Sequence, residues 1–517
     1  SLFELNSFLN WLIGIGSSDS DVLEALASGE SAFSGFYLNF IPLLEHPNTD
    51  IGNQVVEVIH EIIHDEEGIS DQGDLENISQ FALKCLKADL LLYFNNHART
   101  LHKSGNNADP DDNQAVFKIF QVVEDIFELN HQVGTDNARI IEFYSKLTCS
   151  GLIQFLIEMF AQDPKIVKTE SLGNLLSPGD YANRLYAAEL TSTIFQLSAM
   201  DLKHENSSIE RAANEMWNIS IDGLIIIESL LVSISVYRLR DPVDSDEQEY
   251  MFNLFDCLAA LLLNSLSARN SFSSERCEGF QLFIMLLKEV NVSRIRAIQI
   301  IDYVLAPEDA SNLATNFINA GGLKVISPIL MGKGTQKLLK KYPKVLLSLE
   351  SDEGHVCAIV ASLFKNIPYD SSTYFRLVSK FLENSGEKFL KLIQFHEKYM
   401  EKLMKFDKIH EISKEKDVEE ELFLDRMNAG LFVLQQIDIC LLVLNNSSKV
   451  MSSIQSNSES FAEIELELFE VVSKESESVF KLSEKVLEEI KENVRNFVNE
   501  LDTKSIIKII PLLNTFL

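Results

Sequence analysis

The stretch from Ile221 to Leu305 constrains the fold most, because one pattern is written in it twice. It opens with IDGLIIIESLLVSI, a glycine at the head of a helix-length apolar run. The acidic stretch DPVDSDEQ (241–248) breaks that run. Met251, Leu254, Phe255, Leu258 and Leu262 then recur at steps of three and four, which puts them on one face of an α-helix. Glu249, Asn253 and Asp256 keep the same steps on another face. The opening returns as CEGFQLFIMLLKEV (277–290). After a short break comes RIRAIQIIDYVL (294–305), with Ile298, Ile301 and Leu305 as its stripe. The unit is glycine, apolar helix, polar break, amphipathic helix.

The same opening occurs in SGFYLNFIPLLEH (34–46), CSGLIQFLIEMF (149–160), AGGLKVISPILM (320–331) and AGLFVLQQIDICLL (429–442). Gly279 and Gly322 stand 43 residues apart, and Gly223 and Gly279 stand 56 apart, with the acidic stretch as the excess. A helical repeat of roughly 40–47 residues is the armadillo/HEAT period. Glycine suits the position because it lets the chain turn sharply between helices with no Cβ penalty. Strictly alternating runs, which strands would need, are absent. These features predict an all-α, right-handed α-solenoid of armadillo/HEAT type over residues 34–444. Atypical capping helices are expected at both ends, over 1–33 and 445–517, since a terminal repeat lacks one neighbour. The alternative is an unrepeated helical domain in which glycine precedes helices by chance.

Along the chain, two short helices are expected over 2–26. Further helices are expected over 52–66, 78–95, 114–129, 137–147, 185–198 and 355–367. One long amphipathic helix over 381–408 would carry Phe389, Leu392, Ile393, His396 and Tyr399 on one stripe. Polar loops are expected at 65–77, 101–113, 163–182 and 445–460. Helices over 463–501, with apolar residues from Val479 to Leu501 at steps of three and four, would close the chain.

The net charge is −32 and the sequence pI about 4.7. So acidic a surface should repel nucleic-acid phosphates and anionic membranes, and basic peptides are its natural partners. No apolar run approaches the ~18 residues of a membrane span. No signal peptide is visible, and the chain opens at Ser1 rather than Met, as a chain lacking its authentic N-terminus would. The six cysteines are scattered, with no CxxC, which predicts buried thiols in a reducing compartment.

Three features could carry chemistry. His60-Glu61-Ile62-Ile63-His64 is an HExxH, which in zinc peptidases supplies two ligands and a base. No third ligand follows in a recognisable context, and the competing reading is a polar helix face formed by Asn53, Glu57, His60 and His64. The lysine cluster Lys333, Lys337, Lys340, Lys341 and Lys344 reads as an import signal, a phosphate contact or a solvated loop. The acidic stretch 244–249 reads as a docking site or a solvated linker. No phosphate-binding loop, nucleophile elbow or Cys/His pair is present, so no catalytic residue, metal or cofactor is expected.

The polar faces of the second helices matter more as a set: Asn53, Glu57 and His60; Glu189, Ser192 and Gln196; Glu249, Asn253 and Asp256; Gln299 and Asp302. Stacked along a solenoid groove they would form an acidic track for an extended basic peptide. Each exposed ion pair contributes only about 0–1 kcal/mol, so many must act together, and salt should weaken them. Glu57, Glu189, Glu249, Asn253, Asp256 and Asp302 are the candidate partner-binding residues. The alternative is a plain solvent face.

EHPNTDI (45–51), DSDEQEYMFNLFDCLAALL (244–262), EGFQLFIMLLKE (278–289), HVCAIVASLFKNI (355–367) and EEELFLDRMNAGLFVLQQIDIC (419–440) together resemble the beta-catenin-like protein 1 family, nuclear armadillo-repeat proteins. The similarity covers most of the chain in the same order. It is strongest over 220–440 and weakest over 65–115 and after 445. The resemblance implies a non-enzymatic scaffold of pre-mRNA splicing, in the nucleus, associated with the spliceosomal NineTeen complex. It implies partners with basic nuclear-localisation-type segments, including that complex's Myb-repeat component. The family's basic N-terminal extension is missing from this sequence. Trp11 and Trp217 do not fall in the WxxxN ladder of importin-type repeats. A nuclear import adaptor and a zinc hydrolase built on the HEIIH stretch are the rival functions. Pairing of two copies through the C-terminal helices is left open.

Overall fold

A computed structural model describes residues 2–15, 20–28, 35–64, 72–102, 109–132, 137–160, 178–220, 223–307, 310–342, 346–410, 419–447, 472 and 474–500. Parts of the loops expected at 65–77, 101–113, 163–182 and 445–460 lie outside these residues, as do Lys344 and Leu501. Among the described residues every regular element is a helix. The chain is all-α, of armadillo type, and divides into two compact units, Ser1–Ser271 and Phe272–Leu517.

Unit 1 opens with α1 (Leu2–Ile15) and α2 (Ser20–Ser28). Helices then come as triplets, a first, a second and a third, with a left-handed residue before the second helix at Gly35, Asp89 and Gly151. In the leading triplet α3 (Phe36–Phe40) runs through a 3₁₀ turn (Ile41–Glu45) into α4 (Thr49–Ile63). Next come α5 (Gln72–Lys87), α6 (Leu90–His102) and α7 (Pro110–Gln132). They are followed by α8 (Asn137–Ser150), α9 (Leu152–Phe160) and α10 (Pro178–Asp201). The last triplet is α11 (Ser207–Ser220), α12 (Gly223–Ser235) and α13 (Ser245–Asn264). Third helices stack on third helices, α4 on α7, α7 on α10 and α10 on α13, while α2, α5, α8 and α11 form a parallel stack.

The repeat therefore has three helices where the sequence pattern suggested two. The extra one precedes the glycine, and its apolar texture is thinner. At Gly151 the turn between α8 and α9 has φ +73°, which only glycine adopts without strain. Between α5 and α6 the same place is held by Asp89, at φ +64°. That repeat has no glycine at this turn, so a glycine-based pattern skips it.

Local chemistry explains the third helices. In α4, Asn48 caps the N-terminus by accepting from Asp50 N at 3.2 Å, and Ile51, Val55, Ile59 and Ile62 turn inward. In α13, Asp244 accepts from Glu247 N at 2.8 Å. Glu247 reaches back to Val243 N at 2.8 Å and takes Arg240 on both oxygens, at 2.9 and 2.5 Å. This resembles a capping box displaced by one residue, since Glu247 takes the N–H of Val243 rather than that of the N-cap Asp244. The acidic stretch 244–249 is thus a helix start with a buried glutamate. It is not a solvated linker.

Unit 2 follows from α14 (Leu266–Ser273), within which the division falls, to α15 (Gly279–Lys288) and α16 (Ser293–Leu305). A Cβ at Gly279 would lie 2.5 Å from Phe272 O, so α15 could not approach α14 this closely with any side chain there. Then come α17 (Ser311–Asn319), α18 (Leu323–Leu330), α19 (Thr335–Lys341) and α20 (Leu346–Asn366). The unit ends with α21 (Ser372–His410), α22 (Glu419–Arg426), α23 (Phe432–Asn445) and α24 (Glu484–Glu500). Here α16, α20, α23 and α24 form the stack of third helices.

The helix expected to run unbroken over 381–408 is interrupted inside α21. Glu383 is extended and Asn384, Ser385 and Gly386 are left-handed, so the axis changes before Phe389. Phe389, Leu392, His396 and Tyr399 are buried as the stripe requires, whereas Ile393 is half-buried and Phe395 takes its place. The hydropathy reading also needs correcting. The helical stretch Phe423–Asn445, with mean hydropathy 1.7, is long and apolar enough to cross a membrane by length and composition. Most of it is buried within unit 2, which accounts for an apolar texture on all sides. Cys85, Cys257, Cys357 and Cys440 are buried, as expected of inert thiols, and burial pushes the Cys440 thiol up to about 12, whereas Cys149 is exposed and Cys277 half-buried, against that expectation.

Candidate functional site

The candidate residues lie on the third helices, and their neighbours are set by the stacking. The polar face of α4 meets α7 in register. Asn53 Nδ2 donates to Asp112 Oδ1 at 3.1 Å, and Lys118 Nζ donates to Glu57 Oε2 at 2.5 Å. His60 Nε2 lies 3.1 Å from Gln121 Oε1, and His64 Nδ1 lies 2.8 Å from Asp125 Oδ2. The HExxH face is thereby occupied by α7. Burial, then Lys118 and His64, push His60 below its ordinary value, so it is neutral and packed. Among the described residues no group of three or more His, Cys, Asp or Glu side chains is placed to hold a metal ion. The polar-face reading of Asn53, Glu57, His60 and His64 fits, with one change: the face meets a helix rather than solvent.

From α7 onward the balance of charge shifts. Tyr186 of α10 donates to Glu124 Oε2 at 2.6 Å, and its ring lies 4.9 Å from that of Phe117. Glu189, exposed on α10, feels Glu124 on one side and Glu249 on the other. Burial first, then those two carboxylates, raise its carboxyl above the ordinary range. Glu124 is raised too, chiefly by burial and secondarily by Glu128, against hydrogen bonds from Tyr186 and Thr193. Burial lifts Asp125 to about 6, with Glu124 and Glu128 adding and His64 opposing. Among the described residues neither Glu189 nor Glu249 makes an ion pair. A row of like charges, left unneutralised by its own fold, favours whatever cation arrives.

The predicted residues thus separate. Glu189 and Glu249 come together as exposed carboxylates. Asn253 and Asp256 are half-buried, further along the same helix, α13. Glu57 belongs to the same unit, with its charge met by Lys118. Asp302 does not join them. It sits on α16 in unit 2, 7% exposed, with Oδ2 at 2.8 Å from His355 Nδ1, because α16 packs face-on against α20. Glu124, Asp125 and Glu128 were missed. Their signal was present in the helix expected over 114–129, where Lys118, Gln121, Glu124 or Asp125, and Glu128 recur at steps of three and four. In the lysine cluster, Lys333, Lys337 and Lys340 are exposed, while Lys341 donates to Val290 O and Asn291 Oδ1 at 3.2 Å each.

A three-helix repeat with stacked third helices is the architecture of armadillo proteins, and comparison with known families gives it a name. Residues 30–469 match the family described as "Catenin-beta-like, Arm-motif containing nuclear". The chain belongs to this family. It is 29% identical over 411 residues to beta-catenin-like protein 1 of Homo sapiens, covering 77% of this chain and 62% of that protein. The mouse protein of the same name is also 29% identical, over 409 residues, with the same coverage of each chain. The Schizosaccharomyces pombe beta-catenin-like protein 1 homolog is 24% identical over 405 residues, 78% of this chain and 60% of that protein. The chain spans about three fifths of the length of these catenin-beta-like relatives.

Proposed function

We propose that this catenin-beta-like chain is a non-enzymatic nuclear scaffold of pre-mRNA splicing, associated with the NineTeen complex, that holds Lys/Arg-rich segments of splicing factors. The row of carboxylates Glu124, Glu128, Glu189 and Glu249 on the third helices of unit 1 is the binding face. The observation that carries the reading is that Glu189 lies in the field of two other carboxylates, with no ion pair of its own among the described residues. A fold gains nothing from such a row, whereas a bound lysine or arginine relieves its repulsion. The splicing and NineTeen assignment rests on the family resemblance, and the nuclear one is supported by the family's description.

The test is titration of a fluorescent Lys/Arg-rich peptide. Affinity should fall steeply between about 50 and 300 mM salt, as screening lengths shorten below about 10 Å. The joint variant Glu124→Lys, Glu189→Lys, Glu249→Lys should weaken binding at least tenfold, with helical content and melting midpoint unchanged. Unchanged affinity in that variant would dismiss the site.

A further inference from the structure

Unit 2 carries a second groove, on the opposite kind of chemistry. It has a volume of about 500 Å³ and lies where the turn after α17 and the start of α18 face the first half of α21. Ile318, Leu323 and Phe375 supply apolar surface. The wall contributed by α21 is regular: Ser372, Phe375 or Arg376, Ser379 or Lys380, and Glu383. These steps of three and four span three turns, or roughly 16 Å at 1.5 Å per residue. So elongated a trough fits a short helix laid alongside, which would anchor residues at i, i+3 or i+4, and i+7.

The charge around it is the reverse of the chain's. Lys324, Arg376 and Lys380 line the groove against one acid, Glu383. That acid is already engaged, by Lys380 at 2.8 Å and by Lys388 at 3.1 Å. Arg376 Nη1 donates to the neutral Asn319 Oδ1 at 2.8 Å and makes no ion pair among the described residues. Lys324 is exposed and has no ion pair among the described residues. A locally cationic, apolar groove, exceptional on a chain of net charge −32, favours an acidic occupant over a basic one.

We infer that this groove on unit 2 docks an amphipathic helical segment of a partner protein, with an apolar stripe for Ile318, Leu323 and Phe375 and glutamates or aspartates for Lys324 and Arg376. It is separate from the carboxylate row of unit 1, and its occupant has the opposite charge. A scaffold with both could hold a basic and an acidic segment at once.

The experiment uses the whole chain and a labelled synthetic helix of about fourteen residues, leucine on one face and glutamate on the other. Fluorescence anisotropy should give saturable binding in the micromolar range. Lys324→Glu with Arg376→Glu should weaken it at least tenfold. Ser379→Trp, which fills the trough without touching charge, should do the same. The Glu124→Lys, Glu189→Lys, Glu249→Lys variant should bind the acidic helix no more weakly than the parent. Equal affinity for a scrambled peptide of the same composition would overturn the inference, as would binding that survives Ser379→Trp. Competition by a fatty acid such as laurate, with no binding of the peptide alone, would show a small amphiphile as the occupant and overturn it as well.

Discussion

The stack of third helices in unit 1 and the corresponding stack in unit 2 use similar polar residues at similar steps, yet treat charge in opposite ways. In unit 2 two buried acids are paired inside the stack. Asp302 pairs with His355 at 2.8 Å, and Asp438, fully buried, lies 2.6 Å from His396 Nδ1 and accepts from Asn493 at 2.9 Å. Burial alone would lower His396, but Asp438 overrides it and holds the imidazole above its ordinary range. In unit 1 the stack begins neutralised, with Lys118 on Glu57, and then runs into Glu124, Glu189 and Glu249, where acid faces acid. A stack whose charges are satisfied within it is structure. A stack that leaves them unmet invites a ligand.

That contrast breaks most readily at Asp438. Asp438→Ala strands His396 and Asn493 in the core, and removing one partner of a buried pair should cost about 3–5 kcal/mol in chemical denaturation. Glu189→Gln should stay within about 0.5 kcal/mol, as surface changes do. Similar losses for both would mean the two stacks are not different in kind. Next in size, Gly52→Ala should cost about 1–3 kcal/mol, because the new methyl collides with the His97 ring beneath α4. A variant as stable as the parent would show that α4 and α6 pack more loosely than described.

The smallest effect concerns pH and sharpens the assignment of binding to unit 1. Glu124 and Glu189 have raised values, and Asp125 titrates at about 6. A cationic peptide binds the ionised forms. Affinity is therefore complete above these values and is lost as pH falls through them. A histidine-free Lys/Arg peptide should bind a few-fold more weakly at pH 5.5 than at pH 8, since each group contributes only an exposed-pair energy. A flat profile measured by anisotropy would place binding away from this row.

Much of the fold was legible because glycine and apolar spacing speak locally. The helix openings at Gly151, Gly223 and Gly279 are such signals, and the three buried methionine, leucine and phenylalanine positions Met251, Leu254 and Phe255 follow from spacing alone. The repeat at Asp89 was hidden because a left-handed aspartate has no local mark. The interruption at 383–386 did carry a local mark, the Asn-Ser-Gly run with no apolar residue between Leu382 and Phe389, which a helix drawn through the stripe from Phe389 onward passed over. The candidate site was half legible: spacing finds which acids share a face, but says nothing of what that face meets. Glu249 and Asp302 looked alike for this reason.

What the sequence by itself determined is the repeating helical unit, the surplus of acid and the residues on each helical face, since all three follow from order and composition along one chain. Only the tertiary structure decided which faces are spent on neighbouring helices. Partners such as His355 for Asp302, and Lys118 for Glu57, come from 53 and 61 residues away. Whether a carboxylate is neutralised or left in the field of another depends on distances that no local spacing carries.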